Sequence, residues 1–199
     1  MFTVFLVDDE TNVLTALSRL LRTKGYLVRS FTCPRQFLAH HDATVPGCAV
    51  LDVSMPGLDG LELQQALIAE GSHRPVIFIT GNGDVPTSVR AMKAGAIDFL
   101  MKPVRAEALF AAIDRAEQRD AEFRKFYAEL TAIKTKVSTL TRRERQVLTH
   151  VVTERMNKQI AGDLGTVEKT IKIHRHRMMT KLGVRTVPDL VRLAGKIGI

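Results

Sequence analysis

Five polar residues, each set at or just after the end of a short apolar run, could carry chemistry in this sequence. Asp8 and Asp9 follow "TVFLV", Asp52 closes "CAVLD", Thr80 closes "PVIFIT" and Lys102 follows "IDFLM". Three carboxylates brought together repel one another and require a cation among them. Hard oxygen ligands in an open, partly hydrated site favour Mg²⁺. Asp52 is then a nucleophile, ionised at neutral pH, with Lys102 as a mobile positive charge and Thr80 as a hydroxyl donor. Such a set suits phosphoryl transfer onto the Asp52 carboxylate, a reaction that asks mainly for positioning and charge compensation.

For these residues to meet, the apolar runs must be strands of one sheet. Five such runs, at about 3–7, 26–31, 48–52, 75–80 and 97–101, alternate with stretches of helical spacing, such as Val13, Leu14, Leu17, Leu20 and Leu21, and glycines mark the joints. This alternation predicts an α/β fold, a doubly wound five-stranded parallel sheet covered on both faces. Its functional crevice opens at the carboxyl ends of the strands, and strand order 2-1-3-4-5 would crowd Asp8, Asp9 and Asp52 together. From Arg105 to about Val137 there is no Gly or Pro, and apolar residues keep helical spacing, which reads as one long helix whose second half is a linker.

Charge divides the chain. Residues 1–118 hold 11 Lys/Arg and 13 Asp/Glu (net −2), residues 119–137 hold 5 and 3 (net +2), and residues 138–199 hold 13 and 5 (net +8). Nearly all the excess positive charge lies in the last third, as expected of a nucleic-acid-binding module joined to a near-neutral domain. That third is all-α in pattern. Thr141 and Glu144 form a capping-box signature, Asn157 and Thr166 read as N-caps of the next two helices, and Pro188 starts the last one. Four helices with a Gly-containing turn between the second and third suggest a helix-turn-helix. On the third helix Ile171, Met178 and Leu182 form an apolar stripe, while Lys169, Lys172, Ile173, His176 and Arg177 lie largely elsewhere and can enter a groove. Lys158, beside Asn157, joins these as a candidate DNA contact. His174 and His176 point to different helix faces, which argues against zinc, and Cys33 and Cys48 lack metal-site spacing. No apolar run is long enough to span a bilayer, and the expected location is cytoplasmic.

The segments "VDDE", "LDVSMPGLDG", "FIT" and "FLMKP" resemble the receiver domain of two-component response regulators. The resemblance implies that Asp52 is the phospho-acceptor, Asp9 a direct metal ligand beside Asp8, and the Ser54 carbonyl a further ligand. It also implies Thr80 as switch hydroxyl, Phe99 as switch aromatic, Lys102 as the family's lysine with a cis bond to Pro103, and a sensor histidine kinase as phosphodonor. Ser54 and Asn82 fall where side chains tune dephosphorylation; neither is a strong base, so a long-lived phosphate is expected. The stretch "LTRRERQVL…NKQIAGDLGTVEKTIKIHRHRMMTKLGVRTVPDLVRLA" resembles the LuxR-type helix-turn-helix of the NarL/FixJ class. In that class Lys172, Ile173 and His176 hold positions facing bases or phosphates of double-stranded promoter DNA, and the last helix helps pair two subunits.

The resulting expectation is a receiver over 1–118, a helical linker over 119–137 and a DNA-binding domain over 138–199. Such a protein would homodimerise on phosphorylation, with RNA polymerase a further candidate partner, and would be no enzyme beyond assisting its own phosphorylation and dephosphorylation. Competing readings are a DNA-binding regulator independent of phosphorylation, an adaptor acting by protein contacts alone, and a Mg²⁺-dependent aspartyl phosphohydrolase. The last usually has a second Asp two residues after the nucleophile, where this sequence has Ser54.

Overall fold

A computed structural model describes residues 1–199, which form two compact units, Met1–Arg124 and Lys125–Ile199. In the first unit five strands, β1 (Thr3–Val7), β2 (Leu27–Phe31), β3 (Gly47–Asp52), β4 (Val76–Thr80) and β5 (Asp98–Met101), alternate with α1 (Thr11–Thr23), α2 (Pro34–His40), α3 (Gly60–Ala69), α4 (Val85–Lys93) and the start of α5 (Ala106–Ser138). All strand pairs are parallel, in the order β2-β1-β3-β4-β5. The central strands β1, β3 and β4 are buried along their whole length, which is why they read as unbroken apolar runs. Alternate residues serve two cores. Val4, Leu6, Val50, Ile77 and Ile79 pack with α1 and α5, whereas Phe5, Val7, Ala49, Leu51 and Phe78 face Phe37, Leu63 and Ala91.

The register Val7↔Leu51 and Asp52↔Ile79 brings the carboxyl ends of β1, β3 and β4 level. Asp8, the residue after β1, and Asp52 and Thr80, the last residues of β3 and β4, are therefore neighbours at one edge. At the opposite edge the loop from α2 to β3 is held by two arginines. Arg74 lies with its guanidinium 4.2 Å from the Phe5 ring centre and donates to the carbonyls of Asp42 and Val45. Arg124, on α5, donates to the carbonyls of Ala43, Thr44 and Val45 and pairs with the buried Asp120 at 2.7 Å. His73 stacks on Phe123, with ring centres 4.1 Å apart. These contacts lie within the first compact unit, which runs to Arg124.

The second unit contains the end of α5 and four further helices, α6 (Arg142–Val152), α7 (Asn157–Asp163), α8 (Glu168–Leu182) and α9 (Val187–Gly195). Val147, Leu148, Val151, Ile160, Ile171, Met178, Leu182 and Leu190 form its core. Thr141 caps α6 through the expected reciprocal bonds with Glu144, whose buried carboxylate also pairs with Lys181 at 2.7 Å. Two N-caps differ from expectation. Met156, not Asn157, precedes α7: the Gln159 side chain bonds the Met156 N–H at 2.9 Å, while Asn157 Oδ1 accepts from Arg175 at 3.0 Å. Val167, not Thr166, precedes α8 and supplies no side-chain cap. No helix is long and apolar enough to cross a membrane. Cys48 is buried and Cys33 is exposed.

Candidate functional site

At the carboxyl edge of the sheet, Lys102 Nζ lies 2.9 Å from Asp8 Oδ2, 3.0 Å from Asp52 Oδ1 and 2.9 Å from Glu10 Oε1. The Asp8 and Asp52 residues are only 1% and 3% exposed, so their charges are balanced by this ammonium and little solvent. The Lys102 backbone N–H donates to the Thr80 carbonyl at 2.7 Å, and the bond to Pro103 is cis, as expected. Burial alone would lower the Lys102 pKa; the contacts with Asp8, Glu10 and Asp52 outweigh it and hold the ammonium above its ordinary value. Burial pushes the Asp8 carboxyl up, against the opposing influence of Lys102 and the Glu10 N–H, and the Asp52 charge adds to the rise.

Backbone geometry places Asp52. Its Oδ2 accepts from the Ser54 N–H at 2.9 Å, which fixes the carboxylate relative to the turn after β3. Gly60, the first residue of α3, packs directly beneath. A Cβ there would lie 2.3 Å from the Asp52 carbonyl oxygen and 3.1 Å from the Phe78 ring. The second glycine of "GLDG" is thus required by close approach, and Gly57, at φ +85°, by backbone conformation. Asp59 between them caps α3 in a capping box with Glu62.

Thr80 is fully buried and its Oγ1 accepts from the Asn82 N–H at 3.2 Å. Phe99 is half-buried on β5, and Gly83 fits so closely that a Cβ would lie 2.9 Å from both the Phe99 ring and Thr80 Cγ2. The structure therefore gathers Asp8, Asp52, Thr80 and Lys102 at one edge, with Phe99 reached through the loop after β4. Asp9 and Ser54 lie at the same edge with exposed side chains. Sequence reasoning missed Glu10, the third carboxylate on Lys102, which could have been suspected from its place directly after the acidic pair.

No three His, Cys, Asp or Glu side chains stand close enough to hold a metal as arranged, and the Lys102 ammonium spans Asp8 and Asp52. The donor chemistry nevertheless fits a hard cation. Asp8 Oδ2 is buried, has no aligned hydrogen-bond donor, and is balanced only by the ammonium.

In the second unit α8 presents the expected two faces. Ile171, Met178 and Leu182 are buried and His174 is half-buried, while Lys169, Lys172, Ile173, His176 and Arg177 are exposed. Ile173 is an apolar side chain 44% exposed amid basic ones, a suitable contact for a thymine methyl. Lys172 pairs with Glu168 one turn earlier at 3.1 Å. Beside this face lies a cleft of about 680 Å³ whose lining includes Asn157, Lys172, Arg175, His176 and Arg185. Arg175 and Arg185 were not singled out from the sequence. Asn157 is half-buried, Lys158 is exposed, and Thr166 is half-buried at the turn before α8.

Comparison with known proteins gives the same two-part picture. The family of response regulator receiver domains matches residues 4–114, and the luxR family of bacterial regulatory proteins matches residues 138–194. Nodulation protein W of Bradyrhizobium diazoefficiens is 42% identical over 98% of this chain and 86% of its own length. The transcriptional regulatory protein FixJ of Azorhizobium caulinodans is 42% identical over 98% of this chain and 93% of its own. Among solved structures, response regulator StyR is 47% identical, with a TM-score of 0.87 over 98% of both chains. Full-length FixJ from B. japonicum is 37% identical, with a TM-score of 0.60 over 98% of this chain and 97% of its own. A parallel sheet ending in an acidic pocket, a helix-turn-helix unit and these relatives agree: the chain belongs to the response regulators, as a receiver domain followed by a LuxR-type DNA-binding domain.

Proposed function

We propose that the chain accepts a phosphoryl group on Asp52 from a sensor histidine kinase and that this modification controls binding of promoter DNA by α8. The observation that carries the reading is the Lys102 ammonium lodged against the buried carboxylates of Asp8 and Asp52. This pocket holds a nucleophile and a cation ready for an incoming anion. An Asp52 oxygen attacks phosphorus, the bond from phosphorus to the donor nitrogen breaks, and the leaving imidazole takes its proton from solvent. Lys102 turns from the carboxylates to a phosphoryl oxygen, and the Thr80 hydroxyl, already at the same edge, donates to another. Asp8, Asp9, Asp52 and the Ser54 carbonyl would hold Mg²⁺, which supplies charge neutralisation for the transferred group. No separate substrate is turned over.

Movement of Thr80 releases space beside Phe99, because Gly83 ties these residues together. The surface of α4 and β5 then repacks and favours a homodimer in the cytoplasm, which presents two α8 helices to a two-fold DNA site and to RNA polymerase. Lys158, Lys169, Lys172 and Arg177 neutralise phosphates, Ile173 and His176 face base edges, and Asn157 and Thr166 sit at helix starts near the backbone. The test is incubation of the full chain with phosphoramidate and Mg²⁺, followed by intact mass, oligomeric state and DNA affinity. Gain of one phosphoryl group, lost in Asp52→Asn, with tighter DNA binding supports the reading. An Asp52→Asn protein that dimerises and binds DNA as well as the phosphodonor-treated wild type refutes phosphorylation control.

A further inference from the structure

Glu10 occupies an unusual place. It is the N-cap residue of α1, a position that favours Ser, Thr, Asp or Asn, yet its side chain makes no cap bond. The Oε1 atom reaches instead to Lys102 Nζ at 2.9 Å, while the Glu10 backbone N–H donates to Asp8 Oδ1 at 2.8 Å. One residue thereby touches both the lysine and one of the buried carboxylates that hold it.

Three carboxylates lie within 3.0 Å of the Lys102 ammonium, and Glu10 Oε1 is the one aligned to accept a hydrogen bond from it. The three are not equivalent. The side chains of Asp8 and Asp52 are 1% and 5% exposed, whereas that of Glu10 is 62% exposed at the mouth of the pocket. A divalent cation entering the pocket must draw on Asp8 and Asp52, and Lys102 then loses two of its three partners. We propose that Glu10 is a positioning residue that retains Lys102 at that moment, keeping its charge compensated beside Asp52 instead of leaving it to compete with the cation. The inference rests on the reading of the pocket as a Mg²⁺-assisted acceptor site, and it assigns Glu10 a role through Lys102, not as a ligand.

With Glu10 present, the lysine yields the inner carboxylates without becoming an unpaired ammonium. In its absence, release of Asp8 and Asp52 strands the lysine, and cation binding is opposed. Because Glu10 is exposed, solvent screens the effect, and a change of about two- to fivefold in affinity is expected.

The experiment is isothermal titration calorimetry of the full chain with Mg²⁺ alone, on wild type, Glu10→Gln, Lys102→Met and the double variant. Glu10→Ala serves as a second substitution, and phosphoramidate labelling of the wild type runs in parallel. The expected result is a Mg²⁺ dissociation constant raised about two- to fivefold by Glu10→Gln and by Glu10→Ala. In the Lys102→Met background the same replacement should leave it unchanged. Equal weakening in both backgrounds would mean that Glu10 acts on the cation directly, and no weakening in either would mean that it has no role; each overturns the proposal. If the wild type binds Mg²⁺ and is labelled while Glu10→Gln behaves identically, the inference alone fails. If the wild type neither binds nor is labelled, the acceptor reading fails and takes the inference with it.

Discussion

Lys102, the residue after β5, and Asp52, the last residue of β3, are distant in sequence and separated by β4, yet they meet at 3.0 Å because the lysine side chain reaches over that strand. The charge at the end of β3 has no basic neighbour along the chain and acquires one only through the fold. Such a pocket is expected to destabilise the protein in proportion to what it holds ready for an incoming cation or phosphoryl group.

Asp8 gives this a sign. Burial and the Asp52 charge raise its folded pKa above the unfolded value, so its carboxyl is most favourable when protonated, below the unfolded pKa. That contribution is lost as pH rises through the folded pKa. Asp8→Asn should therefore be more stable than wild type at neutral pH, with the difference shrinking in acid. Added Mg²⁺ should stabilise the wild type and not the variant. Urea denaturation at a series of pH values measures this. His41, pushed down to about 4 by burial, has an opposite pH dependence but is common to both proteins and cancels in the difference. A variant less stable than wild type at neutral pH would show that the ion pair outweighs the burial.

Close packing under Asp52 predicts a second effect. Gly60→Ala must displace the Asp52 backbone, with the Phe78 ring giving way as well, and should cost about 2–3 kcal/mol, seen as a lower denaturation midpoint at an unchanged slope. Gly81→Ala is the matched control, since a Cβ there meets nothing within 4 Å. Equal midpoints for the two variants would exclude steric support of Asp52.

Arg124 is the corresponding element at the other edge. Its removal takes the ion-pair partner from the buried Asp120 carboxylate and frees the carbonyls of Ala43 and Thr44, leaving Val45 to Arg74 alone. Arg124→Ala should destabilise the first unit by about 2–4 kcal/mol and speed amide exchange in the loop around residues 42–46. Arg124→Lys should recover little, because an ammonium cannot reproduce the planar fork that serves three carbonyls and a carboxylate. Unchanged exchange in the alanine variant would show that the loop holds without the clamp.

What the sequence revealed follows from the physics of each element. Strands covered on both faces must be apolar throughout, so β1, β3 and β4 stand out, and Asp8, Asp52 and Thr80 mark where each leaves the sheet. The stripe of α8 was legible because its core positions recur at helical spacing. Contacts made by long side chains across the fold were not legible. Nothing near Arg124 distinguishes it from a solvated arginine, and Glu10 looks like an ordinary helix-start acid until Lys102 arrives from another strand. The cap of α7 falls one residue before Asn157 for a related reason. Arg175, a full helix away, engages the Asn157 side chain, and Gln159 serves the free N–H before it.

For α8, phosphate and base contacts should separate experimentally. Lys172 is exposed and paired with Glu168 in the free protein. On the proposed role of α8, binding to DNA exchanges that partner for a phosphate. Lys172→Ala should weaken binding to all sequences alike and reduce the slope of log affinity against log salt by about one, while phosphoryl acceptance is spared. Glu168→Gln should do the reverse, because it removes both a competitor for Lys172 and a charge that repels the backbone. Ile173→Ala should cost about 1 kcal/mol on the preferred sequence and relax discrimination with no change in salt slope, as loss of an apolar base contact requires. Fluorescence anisotropy with a specific and a random duplex over a salt series tests all three. If Ile173→Ala altered the salt slope as Lys172→Ala does, the division of this helix into base-reading and phosphate-neutralising positions would be wrong.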